Sequence, residues 1–289
     1  MKIFKGIIAF LLFVFCLGFL AGLSNKNNID WGSLFPSKET ETITDEVNET
    51  SASQDLEALT SDLQESTSEP QESMTEVFPD EVDFSKLSIN FLGDSITAGC
   101  GNYAPTYVPT VQEILNFLNF NNYGVGGSTI ADVSDYSFID RYPSMTNNAD
   151  IILVFGGIND ASSGVEMGNI DDTNSGTFYG ALNTLVLGLQ KKYPSSYIFL
   201  VTPYMLYSPD HYQMWDETLK LPSGYTRYDY NVAIKAIGEK YGIDVLDLWD
   251  LNTDESCFVD GVHPTVDFCS NTLAPTIAQF IKDNYKKPN

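Results

Sequence analysis

Five short apolar runs, Ser88–Leu92, Phe120–Val125, Asp150–Phe155, Tyr197–Val201 and Asp244–Leu248, punctuate the last two-thirds of the chain. Between and after them lie segments that predict helices at Thr106–Leu118, Ile130–Arg141, Thr177–Tyr193, Thr226–Tyr241 and Ser270–Tyr285. The third has the clearest pattern. Phe178, Ala181, Leu182, Leu185 and Leu189 recur at helical spacing, and Pro194 stops the run. Strands that alternate with helices predict a parallel sheet covered on both faces, an α/β fold of about five strands. Residues 84–289 are enough for one sizeable core, and no internal repeat divides them.

Upstream the texture differs twice. In residues 1–24, Lys2 and Lys5 precede an uncharged, mostly apolar run from Gly6 to Leu23, just long enough to cross a bilayer as a helix. It reads as an uncleaved membrane anchor, with a cleaved signal peptide as the alternative. Positive charge before the run keeps the amino terminus inside and predicts export of the remainder. In residues 25–83, sixteen Asp or Glu lie between Asp30 and Asp83 against the single Lys38, interleaved with Ser, Thr and Gln. Such a segment buries too little apolar surface to offset its ordering entropy, so it predicts a disordered acidic linker. A chain of that length reaches on the order of 40–50 Å.

The whole chain carries 39 acidic and 15 basic residues, a formal charge of −24, which excludes a nucleic-acid backbone as a natural partner. Four cysteines without a CxxC pair, and only two histidines, give no zinc or redox constellation, so no metal or cofactor is expected.

Four short stretches carry candidate chemistry. Gly93-Asp94-Ser95 ends the first apolar run, placing Ser95 at the carboxyl end of a buried strand, where α/β sheets bind ligands. Ser95 suits a nucleophile there, and equally a helix cap. Gly124-Val125-Gly126-Gly127 follows the second run; its glycines let backbone N–H groups approach a ligand closely. Asn159, in Gly156-Gly157-Ile158-Asn159-Asp160, can put a side-chain amide into the same crevice or simply form a turn. Finally, Asp260 precedes His263 by three residues, a spacing that lets the carboxylate orient the imidazole while its other nitrogen faces Ser95. The other histidine, His211, sits in a polar loop.

In this order, from residue 88 to residue 264, the four stretches resemble the blocks of the SGNH/GDSL hydrolase family. The resemblance implies a three-layer α/β/α, flavodoxin-like fold. It also implies catalysis by Ser95 as nucleophile, His263 as general base and acid, and Asp260 as its orienting carboxylate. The oxyanion hole would be the backbone N–H groups of Ser95 and Gly127 with the side chain of Asn159. An acyl-Ser95 ester hydrolase is the resulting expectation, with the base failing below about its ordinary pKa of ~6.5.

For the substrate, the aromatic-rich segment holding Tyr204, Tyr207, Tyr212, Trp215, Tyr225, Tyr228 and Tyr230 suits either sugar faces or its own packing. An exported domain on an acidic stalk points to short-chain esters, acetyl above all, of carbohydrate. Acyl transfer to glycan hydroxyls, a lipid-directed acylhydrolase and a non-catalytic glycan-binding module are the alternatives. Asp171, Asp172 and Arg141 are further candidates for lining the site, and Cys257 and Cys269 for a disulfide that stiffens the His263 loop.

Overall fold

The computed structural model describes residues 82–100, 103–208 and 213–286. The expected anchor at 1–24, nearly all of the expected linker at 25–83, His211 and Tyr212 lie outside the described residues. No helix among the described residues is long and apolar enough to cross a membrane.

The sheet is built from β1 (Ser88–Gly93), β2 (Asn119–Gly124), β3 (Ile151–Phe155) and β4 (Tyr197–Val201), with a two-residue hairpin β5 (Tyr207–Ser208) and β6 (Gln213–Met214) outside it, and β7 (Asp244–Leu246) completing it. The order is β2-β1-β3-β4-β7 and every pairing is parallel. This is the flavodoxin-like order, whose topological switch point lies between β1 and β3.

The central strands β3 and β4 are apolar on both faces because both are covered, whereas the edge strand β2 carries Asn119, Asn121 and Asn122 and is partly exposed. Ile89 and Phe91 of β1, with Ile151, Leu153 and Phe155 of β3, join one buried cluster with α2 (Val108–Leu115) and α8 (Ala274–Asn284). Leu92 of β1, with Ile152 and Val154 of β3, faces the other way into a second cluster with α5 (Phe178–Lys192) and α6 (Arg227–Tyr241). Three layers result.

Short helices fill the turns: α1 (Ser95–Ala98), α3 (Phe138–Arg141), α4 (Ile158–Ser162) and α7 (Val266–Phe268). The helix expected over Ile130–Arg141 is therefore only its last turn. Ahead of it, Val133 N, which a helix would aim at Thr129 O, donates to Ala131 O, and Thr129 O accepts from Phe138 N, while Ile130 and Ala131 donate to the buried carboxylate of Asp160. Thr106–Leu118 shortens to α2, with Pro109 in its first turn and Asn116 closing it at a φ of 53°. Ser270–Tyr285 becomes a π-helical turn at Cys269–Leu273 followed by α8.

Candidate active site

Ser95 stands immediately beyond β1, at the switch point. The turn that presents it depends on two close approaches. A Cβ on Gly93 would overlap the Thr97 side chain, and one on Gly124 would overlap the backbone of Ala98. Glycine at both lets α1 sit directly on the ends of β1 and β2. Asp94 caps α1 by accepting from Ile96 N at 2.9 Å, leaving its other carboxyl oxygen buried without a partner. Burial pushes the Asp94 carboxyl up to about 6, against the pull of that N–H and the nearby His263 and Arg141 charges.

The imidazole arrives from 168 residues further along the chain. His263 Nε2 lies 2.9 Å from Ser95 Oγ, and His263 Nδ1 lies 2.7 Å from Asp260 Oδ2. Asp260 Oδ1 accepts from the backbone N–H groups of Val262 and His263 at 3.0 and 2.8 Å, so the carboxylate is fixed by its own turn. Tyr103 also donates to Asp260 Oδ2, at 3.3 Å, and its ring meets the imidazole edge-on at 6.4 Å. Burial alone would push His263 down. The bond and charge of Asp260, aided by Cys100, outweigh it and raise the imidazole above its ordinary value. The same contacts overcome desolvation at Asp260 and hold its carboxyl low. The side chains of His263 and Asp260 are 11% and 32% exposed, so solvent still reaches the pair.

The other two stretches close on the same point. A methyl placed on Gly126 would lie 3.8 Å from Ser95 Cβ, so the glycine loop borders the serine. Gly127 has a φ of 74° and empty space where a Cβ would go. Asn159, in α4 at the end of β3, donates through Nδ2 to Ser128 O at 3.0 Å, leaving its second N–H for the crevice. The backbone N–H groups of Ser95 and Gly127 have no acceptor among the described residues. All five expected site residues thus converge on one rim.

The outlying expectations fare differently. Arg141 lies behind the rim. Its guanidinium bonds the carbonyls of Gly93 at 3.0 Å and of Tyr123, and Ser128 Oγ at 2.9 Å, stapling the ends of β1 and β2 to the glycine loop. Asp171 pairs with Lys240, and Asp172 accepts from Thr177 Oγ1, so both serve the loop before α5. Cys257 and Cys269 are free thiols and not a disulfide; Cys269 is packed in the core. Of the aromatic set, Tyr204 and Tyr230 are fully buried and pack the domain. Tyr204 also holds Val262 O at 3.1 Å, steadying the His263 turn. Tyr103 and Asp160 were not singled out from sequence. Asp160 stood in plain view beside Asn159, whereas nothing local marks Tyr103.

Such a sheet, with an alcohol, an imidazole and a carboxylate in line at its carboxyl edge, is a three-layer α/β/α hydrolase fold of the SGNH type. The chain belongs to the GDSL-like lipase/acylhydrolase family, whose model matches residues 91–267. Membership of this family supports an ester-hydrolysing enzyme. Among solved structures, a protein from Lactobacillus plantarum is 28% identical, with a TM-score of 0.63, covering 71% of this chain and 100% of that one. A possible lipase from Chitinophaga pinensis is 19% identical, with a TM-score of 0.56, covering 68% of this chain and 98% of that one. An acetyl xylan esterase, AlAXEase, shares the fold at 19% identity and a TM-score of 0.50, covering 68% of this chain and 100% of that one. A search of curated proteins finds no match.

Proposed function

We propose that this chain is an exported serine esterase that removes short acyl groups, acetyl above all, from carbohydrate. The observation that carries the proposal is the continuous line from Asp260 through His263 to Ser95 Oγ, at 2.7 and 2.9 Å. In the forward step His263 Nε2 takes the Ser95 proton as Oγ bonds the ester carbonyl carbon. The resulting oxyanion accepts from Ser95 N–H, Gly127 N–H and Asn159 Nδ2, donors of the kind that stabilise charge as it develops in the transition state. The tetrahedral centre collapses, the C–O bond to the alcohol breaks, and His263 returns the proton to the leaving oxygen. Water, deprotonated by His263, then attacks the acyl carbon, the bond to Ser95 Oγ breaks as His263 returns the proton to Oγ, and the carboxylic acid leaves. Asp260 keeps the imidazole in the tautomer this sequence requires and stabilises its charged form.

Support for a carbohydrate alcohol comes from the rim. Gly126, Gly127 and Asp260 are exposed, so a bulky alcohol has room beside Ser95. Tyr103, 57% exposed next to His263, offers a ring to a sugar face. The AlAXEase likeness is in keeping with an acetyl group. Export rests on the charged and apolar pattern of residues 1–24, and the stalk on the acidic stretch of 25–83. The test is a panel of acetylated sugars and p-nitrophenyl esters of graded acyl length, with Ser95→Ala as blank. Turnover that falls with acyl length and vanishes in the blank is expected. Equal rates for parent and S95A contradict the proposal.

A further inference from the structure

Asp160 lies one residue after the oxyanion-hole asparagine and is completely buried. Its two carboxyl oxygens are both used, and on another segment. Oδ2 accepts from Ile130 N and Oδ1 from Ala131 N, each at 2.9 Å. No lysine, arginine or histidine forms an ion pair with it among the described residues. A buried carboxylate held only by two N–H groups is costly, so packing alone does not explain it. Its value lies in what it joins. Ile130 and Ala131 lie in the same loop as Gly127, three and four residues on, and Asp160 sits in α4, which carries Asn159. With the bond from Asn159 Nδ2 to Ser128 O, the loop is fastened to α4 at three backbone points, Ser128 O, Ile130 N and Ala131 N.

We propose that Asp160 is a positioning residue of the oxyanion hole, setting the Gly127 N–H and the Asn159 amide at a fixed separation. Aspartate fits this task because one short side chain presents two acceptors to two successive N–H groups. An asparagine there satisfies one N–H and turns its own NH₂ against the other, leaving a donor facing a donor. The loop must then shift, and misplacement by about 1 Å of a group that stabilises the transition state costs roughly 10²-fold. The inference rests on the proposed esterase reading of the same site.

The experiment is a double-mutant cycle on p-nitrophenyl acetate with the full chain: parent, Asp160→Asn, Asn159→Ala and the pair. Asn159→Ala should lower kcat by about 10²–10³. Asp160→Asn should lower kcat by about 10–10² with KM within about threefold, in a protein whose circular dichroism matches the parent. In the Asn159→Ala background the same change should cost no more than about threefold, because the hole it serves is already broken. Equal losses in both backgrounds, or parental kcat in Asp160→Asn, overturn the proposal. If Asp160→Asn does not fold, Asp160→Ser takes its place in the cycle, and failure of both to fold assigns Asp160 to the core and overturns it too. Ser95→Ala run alongside separates the two claims. Parental turnover by S95A defeats the esterase reading, whereas a silent S95A with an unaffected D160N defeats this inference alone.

Discussion

Ser95 follows a strand whose six residues are all buried, while Asp260 and His263 sit in a partly exposed turn whose side-chain geometry is set mainly by bonds within it. The serine's place depends on β1 lying between β2 and β3, on two glycines that admit α1, and on Arg141 tying the strand ends together. The imidazole's geometry is set within four residues, by Asp260 accepting from Val262 N, His263 N and the ring itself. Bonds from distant segments hold the turn in place: Tyr204 donates to Val262 O, Tyr207 N to Gly261 O at 3.1 Å and Tyr103 to Asp260 Oδ2, while a bridge between Phe258 and Pro264 closes it. The contrast teaches where damage should appear. Changes around the serine should act through folding, and changes in the turn through chemistry.

The sharpest break in the turn is His263→Ala, expected to lower kcat/KM on the order of 10⁴-fold or more with the thermal midpoint nearly unchanged. A comparable fall in stability would erase the distinction. Asp260→Asn comes next, at roughly 10²–10⁴-fold, and carries a second signature. The carboxylate raises the His263 pKa above 6.5, and the base works only when deprotonated. Activity of the parent should therefore fall as pH drops through a value above 6.5, and the acid limb of D260N should lie lower. Limbs that coincide in a pH–kcat/KM profile would contradict the role given to Asp260. This corrects the expectation of a limb near the ordinary histidine value, which took no account of how tightly the carboxylate is bound to the ring.

On the serine side, Gly124→Ala should cost about 1–3 kcal/mol of stability, since its methyl meets the Ala98 backbone. Urea unfolding followed by circular dichroism measures this, and an unshifted midpoint would deny that α1 needs that close approach. The smallest effect is expected from Tyr103→Phe, which keeps the ring but removes one exposed donor to Asp260. A loss of about two- to fivefold in kcat/KM is anticipated, in line with a hydrogen bond of 0.5–1 kcal/mol or so. Parental values would make the bond ornamental.

Much of this was legible beforehand, and the residues show why. The strands announce themselves because a doubly covered sheet needs continuous apolar runs, as at Ile151–Phe155. The site stretches were legible because each chemical group sits at a strand end or within a short turn. What stayed hidden depends on contacts distant in sequence. Residues 130–137 look helical, but the loop is held from a distance, Ile130 N and Ala131 N by Asp160 and Asp132 N by Ser175 O. Tyr204 and Tyr230 look like a surface for sugars until the strands and helices enclose them. Arg141 gives no local sign that it will reach Gly93, 48 positions upstream.

The most direct test of the central claim is mass mapping of the protein after reaction with a fluorophosphonate, which captures an activated serine. The account predicts one adduct per chain, on the peptide carrying Ser95, formed rapidly in the parent and far more slowly in His263→Ala. An adduct on another residue, or labelling of Ser95 at the same rate without His263, would contradict it.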